Sequence, residues 1–189
     1  MDSNIICKGN SPLGGLPFQR ETFYTDKEEK KFVKSVKSLV RQSMEYREWK
    51  RFLIEDRGLV ECLFTKEIMD ECTIEFHHHP ISMENIVNAI LDQYIYKEKP
   101  FSSFDIATEI MILHFGMKIS IVPMVKTLHE KFHNGFLKIP INYVIGDYKW
   151  FMEYYPLREE ALDVVNKYMI VKETNFLGWD RGDTDNVIE

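Results

Sequence analysis

The sequence contains little cysteine: Cys7, Cys62 and Cys72 are the three in 189 residues, and no pair of them has CxxC spacing. An odd count without paired spacing excludes a disulfide framework and a cysteine-based zinc knuckle, so reduced thiols are expected. The sequence also lacks any apolar run as long as a bilayer requires. Met1–Gly15 is polar and carries glycine and proline, unlike the apolar stretch of a signal peptide. A soluble chain with no membrane partner, located in the cytoplasm, is therefore expected. Internal repeats and low-complexity tracts are absent too.

Positive charge is scarce overall. A net charge of −6 counts against a protein that coats nucleic acid non-specifically, because backbone affinity comes from Lys and Arg displacing counterions. The scarcity is uneven: Asp26 to Arg51 holds nine Lys/Arg against five acids, which leaves the rest of the chain at −10. Such a surplus is most often a solvated face, and contact with DNA is the alternative. Apolar residues, at 44%, are plentiful enough for one core without a staple.

The expected organisation is a flexible lead-in over 1–24, a single domain over 25–177 with an N-terminal helix, and an acidic tail over 178–189. Thr25 or Asp26 caps a long helix in which Phe32, Val36, Leu39, Val40, Tyr46, Trp49 and Leu53 recur at helical spacing, and Gly58 ends it. A short strand is expected over Leu59–Phe64. Thr73–His78 has the alternating, β-branched look of a strand stopped by Pro80. Ser82 caps a helix to about Tyr96, and Ser102 or Ser103 caps another to Phe115. A strand over Lys118–Pro123, a helix over Met124–His133 closed by Asn134-Gly135, a strand over Phe136–Val144, and helices over Tyr148–Tyr155 and Arg158–Tyr168 complete the reading. The aromatic run Tyr148, Trp150, Phe151, Tyr154 and Tyr155 reads as core, with base stacking a distant second.

Five of the six histidines fall in two places, His77-His78-His79 at a strand end and His129 with His133 on a helix. Residues four apart on a helix point the same way, so His129 and His133 offer two imidazoles to one point, the usual bidentate arrangement for zinc-like ions. Consecutive strand residues point to opposite faces, so His77 and His78 take different jobs, for example one ligand and one free base. Phosphodiester hydrolysis uses that division, with a metal to polarise phosphate and an imidazole to activate water.

Glu75-Phe76-His77-His78-His79-Pro80 followed by a strand and by His129-Glu130-Lys131-Phe132-His133-Asn134-Gly135 resembles the HNH (ββα-metal) endonuclease superfamily, in particular the colicin-type DNases. The resemblance implies a divalent ion (Zn, Ni, Mn or Mg) held by His77, His129 and His133, with His78 as general base and Glu75 orienting the site. It also implies DNA as partner and a bacteriophage origin. The expected fold class is α+β: a mostly helical domain with a small ββα-metal core interrupted by a two-helix insertion. Some 50 residues separate the motif halves, and Glu71 stands where the toxin DNases carry an arginine.

Two other readings stay open. His129-Glu130-Lys131-Phe132-His133 also spells HExxH, which would make Glu130 the base of a zinc metalloprotease and Glu153 its third ligand. A catalytically silent HNH-like module with a protein partner in a larger phage or nucleic-acid-processing assembly is the other. His79 reads as a turn residue and His114 as a satisfied core histidine. Cys72 with His77 and Cys62 fits no common zinc spacing.

Overall fold

A computed structural model describes residues 25–169; the lead-in, the tail, Cys7 and the last residues of the expected domain lie outside them. Helix α1 (Asp26–Gln42) starts at a capping box, with Thr25 Oγ1 accepting from the Glu28 amide and the Glu28 carboxylate accepting from Thr25 N. The long helix expected to Leu53 is two helices. Ser43 turns extended (φ −67°, ψ 157°), its hydroxyl donates back to Val40 O (2.9 Å), and the same oxygen caps α2 (Met44–Glu55) by accepting from Tyr46 N (3.0 Å). One serine ends one helix and starts the next, so the apolar stripe changes direction without losing its period.

β1 (Ile74–His78) is followed by α3 (Met83–Tyr96), capped by Ser82, and α4 (Ser103–Phe115), capped by Ser102. The Ser102 cap is a full box with Asp105. Ser102→Ala is expected to lower stability by about 1 kcal/mol, read as a fall in the urea midpoint at constant slope; no change would mean that the N-terminus of α4 contributes nothing. β2 (Ile121–Val125) starts three residues later than Lys118, because the backbone there is still closing α4. Gly116 N bonds Ile112 O, Met117 takes φ +53°, and Lys118 N bonds Leu113 O. α5 (Lys126–His133) follows without a break, then α6 (Tyr148–Tyr154) and α7 (Glu159–Met169).

The sheet has two antiparallel strands, with His77 opposite Val122 and His78 opposite Ile121. The chain is thus α+β, mostly helical, with a ββα arrangement whose two strands are separated by α3 and α4. Pro123 is tolerated because a two-stranded sheet has only edge strands, and its carbonyl accepts from Leu63 N (3.1 Å). The strands expected at Leu59–Phe64 and Phe136–Val144 do not form. The first contributes one bridge, Glu61 to Ile68. The second is interrupted by Pro140 and a 3-10 turn (Ile141–Tyr143), beyond which Ile145 bridges Ile121. Gly135 (φ +79°) winds down α5, its N–H bonding Phe132 O while Phe136 N bonds Lys131 O.

Most apolar burial lies among α1 to α4, around Trp49, Leu53, Ile86, Ile90, Phe101, Ile106 and Ile110, with Phe151 from the aromatic run. A smaller cluster of Cys62, Ile74, Val122, Met124, Val125, Leu128 and Ile139 fastens the β-ribbon to α5. Tyr154, which the sequence reads as core, lies half-exposed and stacks on Trp150. Among the described residues no helix is long and apolar enough to cross a membrane.

Candidate functional site

The alternation of β1 divides its polar residues between two surroundings. Glu75 and His77 meet α5, whereas Phe76 and His78 meet Trp49 of α2. On α5, His129 and His133 stand one turn apart and converge on His77. Ring centroids lie 4.8 Å (His77 to His129), 5.2 Å (His77 to His133) and 4.5 Å (His129 to His133) apart. One nitrogen from each ring falls within 4.8 Å of the others, and among the described residues this is the cluster that could hold a metal ion.

Glu75 settles which nitrogen His129 offers. Its carboxylate can only accept, so the Nδ1 it pairs with carries a proton, and in the neutral ring the lone pair is on Nε2. That Nε2 lies 2.9 Å from His133 Nε2. A carboxylate behind an imidazole is the outer-shell arrangement that orients metal ligands. Burial, followed by the neighbouring His129, His79 and His133, pushes His77 down to about 3. Burial and then His129 lower His133 as well. Both are therefore neutral near pH 7, the form in which imidazole binds metal.

The three histidines open on a cleft of about 1030 Å³ between α1, α2, β1, the start of α3 with Glu84, and α5. α1 and α2 contribute Lys37, Arg41 and Lys50 to its wall. Lys37 is held by Glu84 (2.6 Å), while Lys50 lies over the Tyr46 ring. Arg41 has no ion pair among the described residues, and its charge reaches both His133 and His78 as a minor contributor to their lowered basicity. The basic surplus between Asp26 and Arg51 thus sends cations to the histidine cleft. Sequence spacing signalled the surplus but not this destination, because the contact joins elements far apart in the chain.

His78 lines the same cleft but is not part of the three-histidine cluster. Its ring stacks on Trp49 (6.3 Å, 20°), and its Nε2 lies 2.9 Å from Nε2 of His114. His114 is fully buried with both ring nitrogens engaged, the second by Ile110 O at 2.7 Å. His79, read as a turn residue, directly precedes the bend at Pro80–Ile81 and is also buried against Phe132 and Tyr168, where its Nε2 donates to Ile139 O (3.1 Å). Sequence pattern missed this burial because the groups that cover the ring, Phe132, Ile139 and Tyr168, lie far away in the chain. Cys62 is buried in the smaller core, and neither it nor Cys72 joins the histidines. Glu130 is exposed and faces Lys126 (3.9 Å), and the third donor beside the α5 pair is His77, not Glu153.

The chain belongs to a family of bacteriophage virion proteins. That family is the bacteriophage G278-like virion proteins, whose pattern matches residues 4–180. No curated protein and no solved structure matches it.

Proposed function

We propose that this chain is a metal-dependent phosphodiesterase of the ββα-metal (HNH) kind, acting on DNA and made in the host cytoplasm as a component of a phage assembly. The observation that carries this reading is the convergence of His77, His129 and His133 at the strand–helix junction, on the floor of a cleft walled by Arg41, Lys37 and Lys50. The donor set fits a zinc-like ion. Three nitrogens sharing such an ion in tetrahedral geometry stand about 3.4 Å apart; the His129/His133 pair lies at 2.9 Å and all three donors lie within 4.8 Å.

A divalent ion (Zn, Ni, Mn or Mg) bound there would polarise a phosphate oxygen and steady the departing oxygen. The chain's own residues do the rest. Glu75 fixes the tautomer and direction of His129. Arg41 and Lys50 draw the phosphate backbone into the cleft, supplying from α1 and α2 the positive charge that Glu71 does not. His78, neutral because burial and then His114 hold it well below the usual imidazole range, accepts a proton from water.

Plasmid cleavage with Mg²⁺, Mn²⁺, Ni²⁺ and Zn²⁺ tests the proposal. His129→Ala should abolish both cutting and zinc binding by calorimetry. His78→Ala should leave zinc binding intact and slow cutting by about 10²- to 10⁴-fold. Absence of cutting with every ion, together with absence of zinc binding by the unaltered chain, would overturn it. The virion family supports a second reading, a silent module whose partner is another protein of the particle. Zinc binding without cutting, and particles that fail to assemble without the chain, would favour that reading.

A further inference from the structure

The hydrogen bonds behind His78 define its proton arrangement. Ile110 O, 2.7 Å from Nδ1 of His114, is a carbonyl and can only accept, so that Nδ1 carries a proton. A fully buried ring without an acidic partner stays neutral, because burying an unpaired charge is costly. A neutral imidazole has one N–H, so Nε2 of His114 is a lone pair. His78 Nε2, 2.9 Å away, must then be the donor, and its own lone pair sits on Nδ1. That Nδ1 makes no hydrogen bond. Among the described residues the one fully buried side-chain N or O without a partner is Ser120 Oγ, so His78 Nδ1 keeps some exposure, on a residue that lines the cleft.

The two rings are also mechanically fixed. Trp49 stacks on His78 and meets His114 edge-on at 4.4 Å, while its Nε1–H donates to His114 O (3.1 Å). Tyr46 also meets His114 edge-on, at 5.8 Å. Packing holds the plane of His78, and the proton order of the two rings decides which nitrogen is basic. Neither function is needed for a histidine that merely fills a core, which methyl or phenyl groups would do at lower desolvation cost.

We propose that His114 is a positioning residue for His78: by accepting from Nε2–H it fixes the tautomer whose Nδ1 lone pair faces the histidine cleft. The functional consequence rests on the reading of His78 as the base. The tautomer itself does not rest on it, so the two fail separately.

Long-range ¹H–¹⁵N spectra of the full chain at neutral pH, with the His78 ring assigned by comparison with His78→Ala, read the tautomer directly. Protonated Nε2 with an unprotonated Nδ1 is expected; protonation at Nδ1 overturns the proposal. His114→Phe keeps an aromatic ring and removes the acceptor, so His78 should become a mixture of tautomers. kcat for plasmid nicking should then fall about 10- to 100-fold with KM and zinc affinity unchanged. His114→Gln, whose amide oxygen can accept near the Nε2 position, should restore the Nε2–H tautomer and most of the rate. Should His114→Phe fail to fold, the tautomer of the unaltered protein and of His114→Gln still decides the matter. A single Nε2–H tautomer persisting in His114→Phe would show that His114 does not set it. The expected tautomers without cutting under any ion would leave the positioning role standing and overturn the nuclease reading.

Discussion

Trp49→Ala should destabilise the fold by about 3–5 kcal/mol, the range for truncating a buried aromatic ring. Trp49 is fully buried and sits where α2, β1 and α4 meet, touching Tyr46, Phe76, His78 and His114 and donating to His114 O. The cavity left by its removal would be lined partly by imidazoles, which water can solvate, so the gap cannot close by apolar collapse alone. Domains of this size carry about 5–15 kcal/mol in total, so a loss of that order leaves the variant marginal. Urea unfolding followed by far-UV circular dichroism should show the midpoint falling steeply. Trp49→Phe, which keeps most of the volume and loses one hydrogen bond, should cost about 1–2 kcal/mol. A Trp49→Ala loss under about 1 kcal/mol would mean that the junction of α2 with the β-ribbon is not where stability resides.

Mild acid is expected to have an effect of similar size. His77, His78, His79 and His114 are all buried, and burial holds His79 and His114 down to about 4, with hydrogen bonds to Ile139 O and Ile110 O only partly opposing it. Above pH 6.5 both folded and unfolded chains hold these rings neutral, and stability is at its full value. As pH falls from about 6.5 towards 4, the unfolded chain takes protons that the folded chain refuses. Stability therefore drops by up to about 1.4 kcal/mol per pH unit for each such ring. His79 and His114 together should account for a loss on the order of 4 kcal/mol by pH 5, with His77 and His78 adding to it in the same direction. Urea midpoints at pH 7.5 and 5.0, measured with a chelator present, should differ accordingly. Equal midpoints would show that these rings are not held neutral.

Several parts of this arrangement were legible in the sequence because local chemistry dictates them. Ser82 and Ser102 start α3 and α4 where a hydroxyl precedes an apolar period. Asn134-Gly135 ends α5, and alternation along β1 separates His77 from His78. The convergence of His77 with His129 and His133 follows from the expected strand and helix, but only if they meet, and sequence alone does not bring them together. What was not legible depends on longer range. The apolar period runs unbroken through Ser43, so nothing in it marks the change of direction. The β-like composition of Phe136–Val144 loses to Pro140 and the 3-10 turn at Ile141–Tyr143, so that only Ile145 beyond it reaches β2. His114 reads as an ordinary core histidine because its partner lies on another element, and Arg41 and Lys50 read as surface until α5 is seen opposite them.

The insertion of α3 and α4 between the two strands has a consequence for how the histidine cleft comes into being. β1 and β2 are joined through roughly forty residues, a closure whose entropy a two-stranded ribbon could not offset alone. The helical pair draws the strand ends together as it packs on α1. The geometry at the histidines is thus inherited from apolar side chains such as Ile90 and Ile110, and an incoming cation would meet a framework whose ordering cost is already met elsewhere in the chain.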